Sequence, residues 1–567
     1  MRRLLRLAPF VLCVALYFPV LWQPLLSDDM AVTYALSEWM RHGEFWTKLW
    51  SKFAAGLDSP SYYYRPLTFL TFGVNFALSE TRALSWHVVN LVGHLLAGTA
   101  VFSIASSLQS LRAASVSARS EAAPALIRSD ATPASTSARS DAAPLAATSL
   151  FLLWGTNVEA VAWVSGRYDV LATALALWAA ALYLRSRSPV DGRALKALAC
   201  GVVALCSKES AAVLPGLIAC FAWIRHEPLP FAARWKAIVI DVLPWIALLA
   251  AYFALRYAIF GSMFQVYPDA RPLARIADGD WLSALSAAGP WINAALPSPR
   301  LLQFAGVLVA AMALACIAAT IRTSSLRRIT IGVALATMWT LALLLPHLSA
   351  LSARGEGGRL FYTTSALLAI WLALPLFDLR HDSERATPKR LLRFVMSTLI
   401  ATQIGLLHAA LGDWRNAGEQ MRQLVAALST FEQTLGANRY AFVFAPDAIG
   451  AAPFARNANG AMVLPPIQPR PLLPRLLVFR PSESADIPPL VNRRLIPTLK
   501  TYPLEEVSKH LRDADAGEDP TTLWPTDVFC WRSQTSGLVR VELAEPWRDA
   551  AHWNAAIAGA LQRAGCE

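Results

Sequence analysis

Ser27, Asp28, Asp29 and Tyr34 stand together in SDDMAVTY, directly after an apolar run from Leu4 to Trp22. Carboxylates of this kind can take or orient a proton. The run before them is about long enough to cross a hydrocarbon core of roughly 30 Å as a helix. The pair would then lie at a membrane surface, where ionisable groups are kept for a reason. The same residues also fit an ordinary helix start, with Ser27 or Asp28 capping a helix through Ala31 to Met40.

Other polar residues recur at the ends of apolar segments. Tyr64 and Arg65 lie in YYYRPL, and His87, Asn90 and His94 follow in WHVVNLVGH. Asn157 and Glu159, then Gly166, Arg167 and Asp169, then Lys208 and Glu209, then Glu356, Arg359 and Tyr362 complete the set. Each has a plainer role open to it. His87, Asn90 and His94 share one helix face at i, i+3 and i+7, which suits a hydrogen-bonded seam between membrane helices as well as a cavity lining. The two His lie two turns apart, about 10 Å along a helix axis, too far to share one ion. Glu159 and Arg167 could neutralise each other, and Lys208 and Glu209 could form a turn at the interface. Their common placement on one side favours a shared polar cavity.

The elements that would position them are membrane spans. Of 567 residues, 55% are hydrophobic and only 16% charged, and the mean hydropathy is +0.40, a composition that a soluble domain could not cover. Apolar segments near 4–22, 87–108, 145–165, 170–184, 194–207, 210–224, 237–260, 302–320, 329–346, 361–377 and 391–410 predict about eleven spans. The stretch 281–296, flanked by Pro290 and Pro297, reads as re-entrant or interfacial. The basic, apolar start lacks a small-residue cleavage site and reads as a retained first span. The net charge of +12 is gathered in short Arg clusters between spans, which report orientation and argue against a nucleic-acid partner. These clusters (Arg2, Arg3 and Arg6, then Arg112 to Arg139, Arg185 to Lys196, Arg225 to Lys236, Arg322 to Arg328 and Arg380 to Arg390) all fall in loops on one side. The positive-inside rule then places the N-terminus in the cytoplasm and the C-terminus outside.

Residues 109–143 are biased towards Ala, Ser, Arg and Asp, with SARSEAAP echoed by SARSDAAP, and are expected to be a disordered cytoplasmic loop. The membrane part is expected to span 1–411. From 412 a helical stretch to about Gly436 leads into β-rich pieces at 441–446, 476–480 and 537–543 and an amphipathic helix over 547–564. This predicts an extracytoplasmic α/β domain over 412–567 on an α-helical multi-pass membrane protein. Five cysteines (Cys13, Cys200, Cys206, Cys220 and Cys316) lie in apolar runs, while Cys530 and Cys566 could pair in an oxidising compartment. No cysteine spacing suggests a zinc site.

The polar segments, taken in order, resemble a known group. SDDMAVTY, YYYRPLTFLTFGVNFAL, WHVVNLVGHLLAG, NVEAVAWVSGRYDVLA, CSKESAAVLPGL and EGGRLFYTTSALL resemble the GT-C class of membrane glycosyltransferases. Within it they are most similar to the transmembrane O-mannosyltransferases that modify cadherins and their bacterial relatives. The likeness covers roughly residues 20–375 and rests on the order of the motifs. No 34-residue repeat follows the membrane part here. The E-R pair of the group is spaced as Glu356, Gly357, Gly358 and Arg359, and Thr156 and Asn157 stand where Pro is usual.

The resemblance implies transfer of a sugar from a polyprenyl-phosphate carrier to an acceptor hydroxyl, on protein or glycan, outside the cytoplasm. Asp28 or Asp29 would be the base. The donor phosphate and substrate site would draw on Tyr64, Arg65, His87, Asn90, His94, Glu159, Arg167, Asp169, Lys208, Glu209, Arg359 and Tyr362, with Arg suited to bidentate phosphate contact. No Gly-rich nucleotide loop is evident, and no cofactor or metal site is required, although a divalent cation is compatible with the class. The expected location is a bacterial inner membrane, with membrane lipids as neighbours and the C-terminal domain in the periplasm. The competing readings are a transporter or flippase for a lipid-linked glycan, with polar residues through the full membrane depth, and an inactive envelope scaffold.

Overall fold

The computed structural model describes residues 2–55, 63–121, 141–188, 191–263, 299–322, 324–343, 357–378, 386–435, 441–456, 458, 460–472, 476–481, 527–543 and 550–566. The 281–296 candidate, Glu356 and Trp547 lie outside them, as does 122–140 of the low-complexity stretch.

Helices dominate. In order they are α1 (Arg2–Tyr17), α2 (Asp28–Arg41), α3 (Phe45–Ala55), α4 (Pro66–Ser79), α5 (Ala83–Glu121), α6 (Ala142–Leu152), α7 (Val158–Ala162), α8 (Arg167–Arg185), α9 (Gly192–Leu205), α10 (Leu214–Arg225) and α11 (Phe231–Phe260). Then come α12 (Pro299–Arg322), α13 (Ser324–Ala342), α14 (Tyr362–Ala373), α15 (Ala386–Thr434) and α16 (Ala550–Arg563). Pro66 starts α4, where a missing N–H costs nothing. The expectation of a disordered loop over 109–143 changes at its two edges. Helix α5 runs on to Glu121, because an Ala-rich extension of an existing helix needs no new nucleus. At the far edge, Asp141 pairs with Arg6 at 2.7 Å.

Among the described residues, five helical stretches are long and apolar enough to cross a membrane: Ala83–Ser115, Val164–Arg185, Phe231–Phe260, Gly358–Phe377 and Arg390–Thr434. A sixth counts if Ala142–Leu152 and Gly155–Ala162, bent by 48°, form one span. The segments expected at 4–22, 194–207, 210–224, 302–320 and 329–346 also fold as helices. Length and composition alone therefore give fewer than the eleven expected spans. A polar interruption explains part of the shortfall: Ser207 to Glu209 separates α9 from α10, each too short to cross alone. The stretches differ in setting. Gly358–Phe377 is 78% buried within the protein, whereas only 22% of the Phe231–Phe260 window is buried, and Val239, Leu243 and Ile246 turn outward.

The sequence places a boundary at 411/412, but α15 runs through it as one helix of 49 residues. No breaker stands there, since Gly412 is tolerated within a helix that is packed on both sides. At 1.5 Å per residue α15 is roughly 74 Å long, more than twice a bilayer core. Its far half carries a sheet of strand order β4-β1-β5-β6, with β1 (Ala441–Phe444), β4 (Leu476–Phe479), β5 (Asp527–Arg532) and β6 (Gly537–Arg540). The first three strands are parallel, and β6 returns antiparallel to β5. A short hairpin of β2 (Ala448–Ile449) and β3 (Ala452–Pro453) lies beside it. Phe431 packs on Phe529 with ring centroids 4.5 Å apart, and Trp531 Nε1 donates to Gln420 Oε1 at 3.0 Å. Cys530 and Cys566 form a disulfide that ties α16 to β5.

Candidate active site

The site begins where α4 meets the turn after α9. Leu67 N donates to Cys206 O at 3.0 Å, and Thr68 Oγ1 donates to Ser207 O at 3.1 Å. These bonds set Arg65, just before α4, beside Glu209. Arg65 Nε donates to Glu209 Oε2 at 2.9 Å, and its Nη2 meets the other carboxylate oxygen. The guanidinium lies 3.9 Å from the Tyr63 ring and 4.9 Å from the Tyr168 ring, so both its charge and its plane are fixed. Tyr64, next in line, is buried against Tyr252.

Two further ion pairs adjoin it. Lys208 Nζ meets Asp169 Oδ1 at 2.5 Å. Arg359 Nη1 meets Glu159 Oε1 at 2.8 Å and lies 4.3 Å from the Trp163 ring. Glu159 Oε2 also accepts from the backbone N–H groups of Gly357 and Arg359 at 2.8 and 3.2 Å. This accounts for the two glycines of the EGGR spacing. Gly357 has φ +94, and a Cβ on Gly358 would lie 2.6 Å from Thr156 O. Only a bare backbone can pass this close to the 156–159 segment while presenting its amides to Glu159. Gly166 meets the same constraint, a Cβ there falling 2.4 Å from Ala160 O.

The three pairs act on one another. Lys208 lies within electrostatic reach of Arg65, Glu209 and Arg359, and Arg359 within reach of Asp169 and Asp28. Asp28 and Arg65 both act on Tyr168. Residues from five separate stretches thus share one charged neighbourhood. The cations are the more open partners in two pairs: the Arg359 side chain is 30% exposed against 4% for Glu159, and Lys208 11% against 7% for Asp169. In these two pairs the acid sits behind and holds the cation in place, whereas Glu209, at 22%, is more open than Arg65, at 12%. Burial works against Glu209's charge, but Arg65 outweighs it and brings the carboxyl down to about 2. The same contact raises Arg65 against the opposing effect of burial. Burial lowers Lys208 despite the pull of Asp169, and burial raises the Tyr64 hydroxyl.

The two neighbouring aspartates differ. Asp29 is 2% exposed, and both its oxygens are engaged. Oδ1 accepts from Ser165 N at 2.8 Å and Ser165 Oγ at 2.6 Å. Oδ2 accepts from Val164 N at 3.3 Å and Leu26 N at 3.4 Å. Burial pushes this carboxyl up to about 7, against the lowering effect of the Ser165 bonds. Asp28 is half-buried and faces the charged cluster through Arg359 and Tyr168. The helix-cap alternative does not hold for Ser27. It occupies the cap position without a capping side-chain bond, and its Oγ donates to Arg456 O at 2.6 Å.

The remaining expected residues form a hydrogen-bonded seam. Arg167 is fully buried. Its Nε donates to Asn90 Oδ1, and its Nη2 to Asn75 Oδ1 and Trp86 O, each at 2.9 Å. Its Nη1 reaches Thr71 O at 3.3 Å. It therefore joins α4, α5 and α8 and has no side open for a phosphate, unlike Arg65, Lys208 and Arg359. It does not pair with Glu159, which belongs to Arg359. Asn90 Nδ2 donates to Trp163 O at 2.7 Å. His94 Nε2 lies 3.1 Å from Leu152 O, which requires a proton on Nε2, so Nδ1 accepts from Tyr362 OH at 2.6 Å. His87 Nε2 lies 3.3 Å from Gln23 O. His87, Asn90, His94 and Tyr362 are all buried. Among the described residues, no group of three or more His, Cys, Asp or Glu converges to hold a metal ion. Ser165, Asn75, Tyr63, Tyr168 and Trp163 were not singled out from the sequence. All five stand inside the motif runs, Ser165 and Tyr168 either side of Arg167, but serine, asparagine, tyrosine and tryptophan carry no charge to mark them.

No family model matches the chain. A protein O-mannosyl-transferase of Caenorhabditis elegans is 27% identical over 124 residues, 22% of this chain and 14% of that protein. The match thus spans about a seventh of the curated relative's length. Among solved structures, ArnT from Cupriavidus metallidurans bound to undecaprenyl phosphate shows a TM-score of 0.39 at 12% identity, covering 78% of this chain and 82% of that one. The Archaeoglobus fulgidus oligosaccharyltransferase tethered with an acceptor peptide shows a TM-score of 0.39 at 11% identity, covering 77% and 61%. The short curated match agrees with the O-mannosyltransferase resemblance of the motifs.

Proposed function

We propose that this chain is a multi-pass membrane glycosyltransferase that moves a sugar from a polyprenyl-phosphate carrier to an extracytoplasmic hydroxyl. The observation that carries the reading is the meeting of Arg65, Lys208 and Arg359, each braced by its own carboxylate, beside the half-buried Asp28. The short match to an O-mannosyl-transferase supports the same reading.

In this mechanism the acceptor oxygen attacks the anomeric carbon, and the bond from that carbon to the phosphate oxygen breaks. The acceptor proton passes to Asp28, and configuration inverts. The leaving group is a polyprenyl phosphate that gains negative charge as it departs. Arg65, Lys208 and Arg359 stabilise that charge, and because Glu209, Asp169 and Glu159 fix them beforehand, little reorganisation is needed during the step. The base role falls to Asp28 in this reading, supported by the engagement of Asp29, whose oxygens already accept four bonds. Asp29 is a positioning residue that fastens α2 to the Val164–Ser165 turn. The Cys530–Cys566 pair supports an extracytoplasmic place for the 412–567 region, with the N-terminus in the cytoplasm of a bacterial inner membrane.

The test uses purified full-length chain in nanodiscs, offered polyprenyl-phosphate hexoses together with an envelope extract as acceptor source. Sugar transfer that Asp28→Asn abolishes while the variant still binds donor supports the enzyme. Sugar transfer left unchanged by Asp28→Asn would remove that residue from the mechanism. Movement of intact donor across the bilayer without transfer would favour a transporter.

A further inference from the structure

The loop carrying Asp28 is held in an unusual backbone. Ser27 has φ +53 and ψ −131, a conformation that a residue with a Cβ keeps only when its surroundings impose it. Those surroundings come from the far end of the chain. Ser27 N donates to Phe454 O at 3.0 Å, and Ser27 Oγ donates to Arg456 O at 2.6 Å; Ser27 itself is wholly buried.

The 454–456 segment is itself anchored. It leaves the β2–β3 hairpin with Phe454 N donating to Asp447 O at 2.9 Å and Ala455 N to Pro446 O at 3.2 Å. The Asp447 carboxylate binds Arg456 through Nε at 3.0 Å and through Nη2, and Arg480, at the end of β4, at 3.0 Å. The same loop is gripped again upstream. Arg422 of α15 donates to Trp22 O at 3.3 Å, and a Cβ on Gly418 would lie 3.0 Å from the Gln23 side chain. Residues 22–27 are thus clamped between α15 and the 454–456 segment, with the two aspartates directly after the clamp.

We infer that the segment Phe454–Arg456 is part of the catalytic scaffold, and that Ser27 is the positioning residue through which it sets the attitude of Asp28 and Asp29. This rests on the transferase reading for its catalytic half, whereas the mechanical coupling does not. Through this route the sheet is joined to the base by two hydrogen bonds, a backbone strain and an ion pair. A loosened 454–456 segment lets Ser27 relax to an ordinary φ, which swings the first turn of α2 and parts Asp28 from Arg359.

The test compares Ser27→Ala, Ser27→Gly and Asp447→Asn in the full-length chain in nanodiscs. Amide hydrogen exchange is followed over 26–33 and 454–458 without any donor. Turnover is followed with undecaprenyl-phosphate mannose, glucose or galactose, whichever the unaltered chain uses. Each variant is expected to raise exchange in both segments about tenfold and to lower kcat about tenfold, with KM for the donor within about twofold. Asp447→Asn lies away from the loop, so its agreement with the Ser27 variants excludes a purely local defect at Ser27. Unchanged exchange over 26–33 in Asp447→Asn overturns the coupling. Raised exchange with kcat unchanged overturns the positioning role. If the unaltered chain turns over none of the donors, the transferase reading fails, and the exchange result still decides the coupling.

Discussion

Replacing Asp29 with Asn is expected to change the sign of its effect with pH. The carboxyl is raised from an ordinary 3.8 to about 7 by burial. A raised carboxyl means that the folded protein binds the proton more tightly than the unfolded chain. Stability is therefore fullest below about pH 4, falls as pH rises towards 7, and carries the whole penalty above that. Three units at 1.36 kcal/mol each amount to about 4 kcal/mol, with little screening at a group 2% exposed. An Asn in this place keeps a carbonyl oxygen for Ser165, but its amide group faces the Val164 and Leu26 N–H donors, a mismatch of about 1–2 kcal/mol. Asp29→Asn should thus stabilise the protein by about 2 kcal/mol at pH 8, be near neutral at about pH 5, where the lost penalty and the mismatch cancel, and destabilise it by about 1–2 kcal/mol below about pH 4. Thermal unfolding of the nanodisc-embedded chain from about pH 3.5 to 8 reads this as a crossing of the two midpoint curves near pH 5. Sugar transfer at pH 7 should stay within about tenfold of the unaltered chain, whereas Asp28→Asn should lower it by about 10²–10⁴. Parallel midpoint curves, or a loss of transfer in Asp29→Asn as large as in Asp28→Asn, would refute the assignment of roles.

Arg65→Lys keeps a charge but loses the planar fork held between Tyr63 and Tyr168, so the donor KM should rise about tenfold to a hundredfold in steady-state transfer assays. Arg167→Ala should leave the Asn75, Asn90 and Trp86 oxygens without their donor and open a cavity, together costing about 3–5 kcal/mol, read as loss of monodisperse protein on size exclusion; a folded variant with only a raised donor KM would contradict its bracing role. Membrane fractions prepared without reductant should show a Cys530–Cys566 mobility shift on reduction, and Cys530→Ser should abolish it.

Much of the site was legible because ionisable residues at the ends of apolar segments are scarce. Asp28, Arg65, Lys208 and Arg359 stood out by type and place, and the structure gathers them with Glu159, Asp169 and Glu209. How they pair was not legible, since nothing in a linear pattern says that Glu159 serves Arg359 and leaves Arg167 to amides and carbonyls. The EGGR spacing looked like a departure from the motif until the backbone amides of Gly357 and Arg359 were found on Glu159. Apolar runs located the helices, including those too short to cross a membrane alone. They missed α4, whose 14 residues sit in what reads as a loop. They also missed the continuity of α15, because hydropathy ends at the membrane surface and helical hydrogen bonding does not. The hold of Phe454 and Arg456 on Ser27 spans more than 420 residues and uses backbone carbonyls, which no side-chain pattern records.

The most direct test is a structure of the full-length protein in nanodiscs with undecaprenyl phosphate bound. The account predicts the phosphate in contact with Arg65, Lys208 and Arg359, with Asp28 facing the side from which an acceptor hydroxyl would approach. A phosphate bound away from these three cations, or one contacting Arg167 through a rearranged seam, would contradict it.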